Sequence, residues 1–190
     1  TQFEGRNSEQ ILADKTGVKD IVADHAGNLW FLDPDSHSVR RMDARGSLAT
    51  VDTGIDFPTG LCLSPDQTLL YVTDLTSQFV FSFQIQSDST LAYKQPYFHL
   101  HLADNPRGSG ADGLCVDADG RLYVASHAGI QVCDQAGRVN GILAKPEKNA
   151  WATDVCFGGR NMDELYLTAG DKVWRRKMRV KGVLPFLAPI

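Results

Sequence analysis

The sequence lacks any apolar run close to the roughly 20 residues that a membrane-spanning helix needs. Its longest apolar stretches, such as Ile130–Cys133 and Leu69–Val72, have the length of a β-strand. It also lacks an excess of basic residues, since the net charge is −4 and the isoelectric point is near 5.7. These absences predict that neither a membrane nor a nucleic acid is a partner of the chain.

Patterns typical of helical proteins and of several enzyme classes are missing as well. No window keeps an apolar period of 3.6 residues, so helices should be nearly absent. There is no Gly-x-Ser-x-Gly nucleophile motif and no glycine-rich phosphate loop next to a helix. The 190 residues are nevertheless 43 % hydrophobic and 22 % charged, which is typical of a globular protein.

The four cysteines show no Cys-x-x-Cys spacing of a zinc or redox site. Cys62, Cys115 and Cys156 occupy one position of an internal repeat, where Val22 stands in the first copy. A position that accepts valine or cysteine is typical of a small apolar core site, so we expect these three and Cys133 to be free core thiols. Free thiols favour a reducing compartment, and we therefore expect a cytoplasmic location.

The chain contains four internal repeats, and they decide the fold prediction. The anchor residues Ile21, Leu61, Leu114 and Val155 are 40, 53 and 41 residues apart. In each repeat an apolar strand, a turn rich in Asp, Gly, Pro and Asn, and a strand with a central aromatic follow one another.

Two further strands are predicted in every repeat. The predicted third strands are Ser38–Asp43, Gln78–Phe83, Gly129–Asp134 and Lys172–Lys177. The predicted fourth strands are Ser47–Val51, Tyr97–Leu100, Val139–Leu143 and Val183–Leu187. The second repeat is longer because of an insertion, Gln84–Pro96, which is either a hairpin extension or a surface loop.

Four short strands per repeat of about 40–50 residues are the unit of a β-propeller. We therefore predict an all-β chain built of four-stranded antiparallel blades. The predicted blades cover residues 18–52, 57–102, 111–145 and 152–188, and residues 8–14 are predicted as the last strand of a preceding blade.

A chain that enters in the middle of a blade leaves sheet edges and apolar blade faces to be covered. We expect a closed ring, an interface between copies in a homo-oligomer, or upstream blades. The chain starts at Thr1 and lacks the charged and apolar regions of a signal peptide, and the missing initiator Met favours further residues upstream.

The repeats resemble the SMP-30/gluconolactonase/LRE family over about residues 9–188. The resemblance implies a six-bladed propeller of which this chain matches the last four blades. It also implies the hydrolysis of lactones, or sometimes phosphoesters, with one divalent cation, usually calcium, at the mouth of a central channel. The segments that carry the resemblance are Phe57–Asp66, Leu70–Asp74, Ala111–Asp117, Tyr123–Ala125, Gly129–Asp134 and Phe157–Gly159.

In that family the cation is held by an acidic residue of the first blade and by Asn, Asn and Asp at the starts of three later blades. The resemblance assigns the last three positions to Lys19, Thr59 and Asp112 of this sequence. Calcium prefers 6–8 oxygen ligands at about 2.3–2.6 Å, whereas a protonated lysine offers no acceptor and a threonine hydroxyl is a poor ligand. Asp112 is therefore the one metal ligand that the resemblance predicts here, and the alternative is a degenerate metal site.

The resemblance implies a catalytic role for Asp112 and for Asp20, which directly follows Lys19 in the sequence. Lys19, Thr59, Asp154 and His127 are predicted to bind substrate, with Lys19 as a counter-ion of the carboxylates. The alternative for the aspartates is that they cap turns by bonding nearby backbone N–H groups. His127 follows a second strand, at a turn that could approach the channel.

Three functions follow from these residues. The first is a lactonase-like hydrolase that acts on a small sugar lactone, and the second is a non-catalytic propeller that binds a ligand or partner. The third is a compact four-bladed protein with a ligand site of its own.

Overall fold

The computed structural model describes residues 12–13, 17–104 and 108–190. Within them the chain is all-β, with fifteen strands in four antiparallel sheets and one turn of 3-10 helix at Pro34–Ser36. This confirms the predicted fold class. Apart from residues 12 and 13, the strand predicted over residues 8–14 lies outside the described residues. Across the described part of the chain, no helix has the length and apolar character that a membrane crossing requires.

The strands follow one another in space in the order in which they occur along the chain. The first sheet contains β1 (Ile21–Ala23), β2 (Leu29–Asp33), β3 (Ser38–Met42) and β4 (Leu48–Thr53). The second contains β5 (Pro58–Leu63), β6 (Leu69–Asp74), β7 (Phe79–Ile85) and β8 (Leu91–His99). The third contains β9 (Leu114–Val116), β10 (Leu122–Ser126), β11 (Gly129–Cys133) and β12 (Val139–Leu143). The fourth contains β13 (Ala152–Gly158), β14 (Glu164–Ala169) and β15 (Lys172–Lys177).

The insertion of the second repeat forms a hairpin extension. Strands β7 and β8 pair from Phe79 opposite His99 to Ile85 opposite Leu91. The fourth strand of this sheet is therefore longer than the predicted Tyr97–Leu100, because the inserted residues extend the ladder rather than leave it.

The prediction of a fourth strand at Val183–Leu187 is wrong. The chain leaves the fourth sheet instead: Ala118 donates a backbone hydrogen bond to Lys181, and Gly182 pairs with Asp117 of the third sheet. Pro185 has no N–H group to give to a ladder, which disfavours a strand at this point. The fourth sheet therefore has three strands.

Residues 181–190 form a segment that we call the C-terminal strap. The Gln67 side chain donates from Nε2 to the carbonyls of Pro185 (2.6 Å) and Leu187 (2.9 Å). The Ile190 N–H donates to the carbonyl of Pro65. The strap thus crosses the turns between the first and second strands of the second and third sheets.

The apolar core lies between neighbouring sheets. One cluster joins the first and second sheets around Trp30 and Leu63, and a second joins the second and third around Phe98 and Val124. A third, around Leu167, joins the third and fourth sheets. The inner strands β1, β5, β9 and β13 contact one another in sequence and line one cavity, so they form the wall of a channel.

Candidate active site at the channel mouth

Each inner strand is preceded or opened by a β-bulge, in which two successive residues lie opposite one residue of the second strand. In the first sheet Lys19 donates its N–H to the Leu32 carbonyl, and Leu32 donates its N–H to the Asp20 carbonyl. In the third sheet Asp112 and Gly113 pair with Ala125 in the same way. The other bulges place Thr59 and Gly60 opposite Thr73, and Thr153 and Asp154 opposite Thr168.

These bulges lie at one end of the channel, which we call the mouth, and in the first and fourth sheets they place two adjacent side chains there. A regular strand would send successive side chains to opposite faces, whereas a bulge re-aims one of them. In the fourth sheet, for example, Thr153 and Asp154 are both exposed although they are neighbours in sequence. Most of the predicted site residues belong to these bulge pairs.

Lys19 and Asp112 form an ion pair across the mouth. The Lys19 Nζ lies 3.6 Å from Asp112 Oδ1, and the side chains are 45 % and 11 % exposed respectively. Burial raises the pKa of Asp112, while the positive charge of Lys19 opposes that rise and the negative charge of Asp154 adds to it. The structure thus brings together two residues that are 93 positions apart and occupy equivalent positions in two repeats.

Asp20 bridges the first two sheets through its carboxylate. Its Oδ1 accepts the N–H of Ile21 and its Oδ2 accepts the N–H of Leu61, both at 2.8 Å. Burial raises the pKa of Asp20 to about 6, although the two N–H bonds oppose this shift; the charges of Asp154 and Asp112 add to it. Asp20 therefore holds the first two sheets together at the mouth.

Asp154 occupies the same bulge position in the fourth sheet as Asp20 in the first. Its Oδ1 accepts the N–H of Val155 at 2.7 Å. Burial raises its pKa, while that bond and the charge of Lys19 oppose the shift. A Cβ on Gly113 would lie 1.9 Å from Asp154 Oδ1, so the glycine leaves the space that this carboxylate fills.

Thr59 is buried and supports Asp112 from behind. Its Oγ1 donates to the Ala111 carbonyl at 2.8 Å, and the neighbouring Thr73 Oγ1 donates to the Asp112 carbonyl at 2.7 Å. The exposed fraction of Thr59 is 4 %, and that of Thr73 is 0 %. Substrate contact by Thr59 remains a prediction, and its observed contacts are with the backbone that carries Asp112.

His127 lies on the turn between β10 and β11, at the same end of the third sheet as Asp112. Its ring packs on that of Trp151, with centroids 4.6 Å apart and planes tilted by 46°. A Cβ on Gly110 would lie 1.9 Å from the His127 ring, so the imidazole also fills the space above this glycine. Trp151 is 45 % exposed.

Three contributors to this end of the channel were missed in the sequence: Thr73, Gly113 and Trp151. Gly60 and Gly113 share the column of Asp20 and Asp154, and this alternation of Gly and Asp was the available signal that one residue fills the space left by another. Thr73 and Trp151 carry no comparable signal, because their partners are remote in sequence.

Below the mouth lies a cavity of about 270 Å³ between the inner strands. Asp20 and Asp154 line it near the mouth, and Val183–Pro185 of the strap line its opposite end. The cavity is mainly apolar in its middle section. The repeat position there is occupied by Val22, Cys62, Cys115 and Cys156.

The expectation that all four cysteines are core residues is wrong for two of them. All four are free thiols, but Cys156 is exposed and Cys115 is half-buried. The reason is that Cys156 lies two residues after Asp154 and so shares its channel-facing side. Burial raises the pKa of Cys115 well above its ordinary value and also raises that of Cys156, so both stay protonated at neutral pH.

The donors at the mouth do not fit a calcium ion. The repeat positions that would supply calcium ligands are occupied by the Lys19 ammonium, the buried Thr59 hydroxyl and the Asp112 carboxylate. Both oxygens of the nearby Asp20 accept backbone N–H bonds. Among the residues that the structure describes, no group of three or more His, Cys, Asp or Glu side chains is arranged to hold a metal.

Comparison with known proteins shows the family of the chain. The family model described as the SMP-30/Gluconolactonase/LRE-like region matches residues 7–171. Pentonolactonase XacC of Haloferax volcanii is 28 % identical over 170 residues, which cover 86 % of this chain and 56 % of that protein.

Solved structures have the same arrangement of sheets. A gluconolactonase from Xanthomonas campestris superposes with a TM-score of 0.72 at 25 % identity, over 87 % of this chain and 57 % of that one. A calcium-binding regucalcin from Agrobacterium tumefaciens gives a TM-score of 0.74 at 18 % identity, over 91 % and 65 % of the two chains.

The chain spans about half the length of the first relatives that it matches. Those relatives are six-bladed propellers, and the four sheets correspond to a four-bladed portion. The match to the family model covers most of the sequence, and the bulge residues of the mouth lie within it. The chain therefore belongs to the SMP-30/Gluconolactonase/LRE-like family.

Proposed function

We propose that this protein hydrolyses a small sugar lactone at the mouth of the channel, with Asp112 as the general base. The observation that carries the proposal is the Asp112 carboxylate, held at the mouth beside Lys19 in a fold shared with named lactonases. Calcium plays no part in the proposed step, because the donors present do not fit it.

The chemistry needs a base that accepts a proton from water as the water attacks the lactone carbonyl. Asp112 accepts that proton and then returns it to the ring oxygen when the carbon–oxygen bond of the ring breaks. The product is the open-chain hydroxy acid, and Asp112 is regenerated as a carboxylate. The backbone carbonyl of Asp112, bonded to Thr73, fixes the position of this group.

The other aspartates have supporting roles in this proposal. Asp154 lines the cavity, and its carboxylate accepts hydrogen bonds from sugar hydroxyls. Asp20 is a positioning residue, because both of its oxygens are engaged by backbone N–H groups. Trp151 offers a half-exposed ring face beside His127 at the same end of the molecule.

The test is the hydrolysis of pentonolactone and gluconolactone, followed with a pH indicator. Asp112→Asn keeps the shape of the side chain and removes the base, so we expect kcat/KM to fall by about 100-fold or more. Asp119→Asn is the matched control, since Asp119 lies in the turn between β9 and β10, at the opposite end of the sheet, and its side chain is 70 % exposed. Equal activity of Asp112→Asn and the control, or no hydrolysis by the folded protein, would overturn the proposal.

A binding protein without catalysis is the second candidate. It is favoured by the buried hydroxyl of Thr59 and by the lysine in the column that supplies metal ligands in relatives. Calorimetric titration with the same lactones distinguishes the two functions. Saturable binding without product formation would support the second candidate.

A further inference from the structure

We propose that the ammonium group of Lys19 takes the place of the divalent cation at the mouth, so that the site carries its own tethered positive charge. The inference rests on the proposed function only in placing the reaction at this mouth. The charge arrangement itself is a property of the folded chain.

The position of Lys19 is the first argument. It is the first residue of the bulge pair in the first sheet, as Asp112 is in the third, so both side chains start from equivalent points around the channel. The Nζ lies 3.6 Å from Asp112 Oδ1. A divalent cation bound at these repeat positions would compete with Lys19 for the Asp112 carboxylate.

The charge balance of the mouth is the second argument. Asp20, Asp112 and Asp154 come from three different sheets; Asp112 is buried, Asp20 is half-buried, and Asp154 is exposed at the mouth. Burying like charges near one another is costly unless a positive charge compensates them. Lys19 acts on both Asp112 and Asp154, and therefore supplies that compensation from within the chain.

The remaining oxygen atoms are the third argument. Both carboxylate oxygens of Asp20 accept N–H bonds, and the Thr59 hydroxyl donates to a carbonyl. Neither group is turned toward a shared ion. A calcium ion would meet one ammonium and few available oxygens where it prefers 6–8 oxygen ligands.

The tethered charge has a chemical use in the hydrolysis. An ammonium N–H donates to the carbonyl oxygen of the lactone and stabilises the negative charge that this oxygen gains when water adds to the carbon. When the carbonyl forms again, the electron pair returns and the ring carbon–oxygen bond breaks. The proton of the attacking water passes through Asp112 to the ring oxygen, and Lys19 stays protonated throughout.

The experiment compares the wild-type chain with Lys19→Met, Lys19→Arg and Lys172→Met, each with and without millimolar calcium. Lys172→Met is the matched control, because Lys172 is 48 % exposed and is also paired with a carboxylate, that of Glu147. Two quantities are measured: the heat of calcium binding by calorimetry and the midpoint of thermal unfolding.

We expect the wild type, Lys19→Arg and the control to give no saturable calcium heat and no shift of the midpoint. Lys19→Met leaves the carboxylates uncompensated, so its midpoint should be lower and should be partly restored by calcium. Saturable calcium binding by the wild type, or a Lys19→Met midpoint equal to that of the control, would overturn the inference.

Hydrolysis is measured on the same variants as a separate readout. We expect kcat/KM of Lys19→Met to fall by about 100-fold. We expect calcium to leave hydrolysis by the wild type and by the control unchanged. If no variant hydrolyses a lactone but the calcium and unfolding results are as expected, the proposed function fails and the tethered cation stands. If the wild type hydrolyses lactones only with calcium, the tethered cation fails and the lactonase stands.

Discussion

At the scale of single residues, the aspartates of the mouth have separate tasks although they look alike in sequence. Asp20 ties the first sheet to the second through Leu61, whereas Asp112 faces Lys19 and Asp154 lines the cavity. The difference comes from the partner that each carboxylate finds. Asp20 meets two N–H groups, and Asp112 meets an ammonium.

Asp20 should make stability depend on pH in a defined direction. Its pKa is about 6 in the folded chain against 3.8 ordinarily, so the folded state binds more protons between these values. The contribution of Asp20 is therefore fully present below about pH 3.8 and is lost as the pH rises through 6. We expect the free energy of unfolding of the wild type minus that of Asp20→Asn to fall across this interval.

Urea unfolding at a series of pH values measures this difference. Asp119→Asn, which changes a carboxylate remote from the mouth, is measured in parallel as the control. A difference that rises with pH for Asp20→Asn would contradict the assignment.

At the scale of elements, the sequence was sufficient to predict most strands, because short apolar runs alternate with turn residues. The bulges were beyond prediction, since the pair Lys19–Asp20 has no local sign that both residues face Leu32. The strap was mispredicted as a strand because Val183–Leu187 has strand composition. Its actual partners, such as Gln67, are more than 100 residues away.

The candidate site was predictable in part for the same reason. Repeat alignment placed Lys19 and Asp112 in one column, and the structure pairs them. It could not predict that Thr59, in the same column, points its hydroxyl at Ala111. An equivalent repeat position fixes where the backbone carries a side chain, whereas packing against neighbouring sheets decides what that side chain contacts.

Gln67 should hold the strap in place. Gln67→Asn shortens the side chain and removes the two bonds to the strap, while asparagine tolerates the positive φ of 55° at this position. We expect the strap to open more easily by about 1–3 kcal/mol, the net value of two hydrogen bonds. Faster trypsin cleavage after Lys181 and faster amide exchange at Ala118 measure this opening.

Gln95→Asn is the matched control, since Gln95 is an exposed residue of β8, remote from the strap in the fold. Its cleavage rate should equal that of the wild type. Equal rates for Gln67→Asn and Gln95→Asn would mean that other contacts hold the strap.

At the scale of the whole molecule, the three apolar clusters form a linear series of interfaces between neighbouring sheets. Each sheet is stabilised mainly by the sheet before it and the sheet after it. Stability in such an arrangement is close to a sum of nearest-neighbour terms, as in repeat proteins. A destabilising substitution in the first sheet should therefore leave the stability of the fourth sheet unchanged, and the reverse should also hold.

Two matched substitutions test this separation. Leu165→Ala removes a side chain that is 2 % exposed from the interface of the third and fourth sheets, and Leu32→Ala removes one that is 0 % exposed from the interface of the first and second. Each should cost about 2–5 kcal/mol at its own interface. Amide exchange should accelerate in β13–β15 for Leu165→Ala and in β1–β3 for Leu32→Ala. Uniform acceleration in all four sheets would indicate a single cooperative unit.

The strap has a further consequence for the order in which the chain folds. Most pairings within a sheet join residues close in sequence and can form as soon as a hairpin has been made. The bonds from Gln67 close loops of 118 and 120 residues, so the entropy cost of closing them is larger until the intervening sheets are packed. During synthesis the strap leaves the ribosome after the four sheets, and its docking at the far end of the channel should therefore follow their packing.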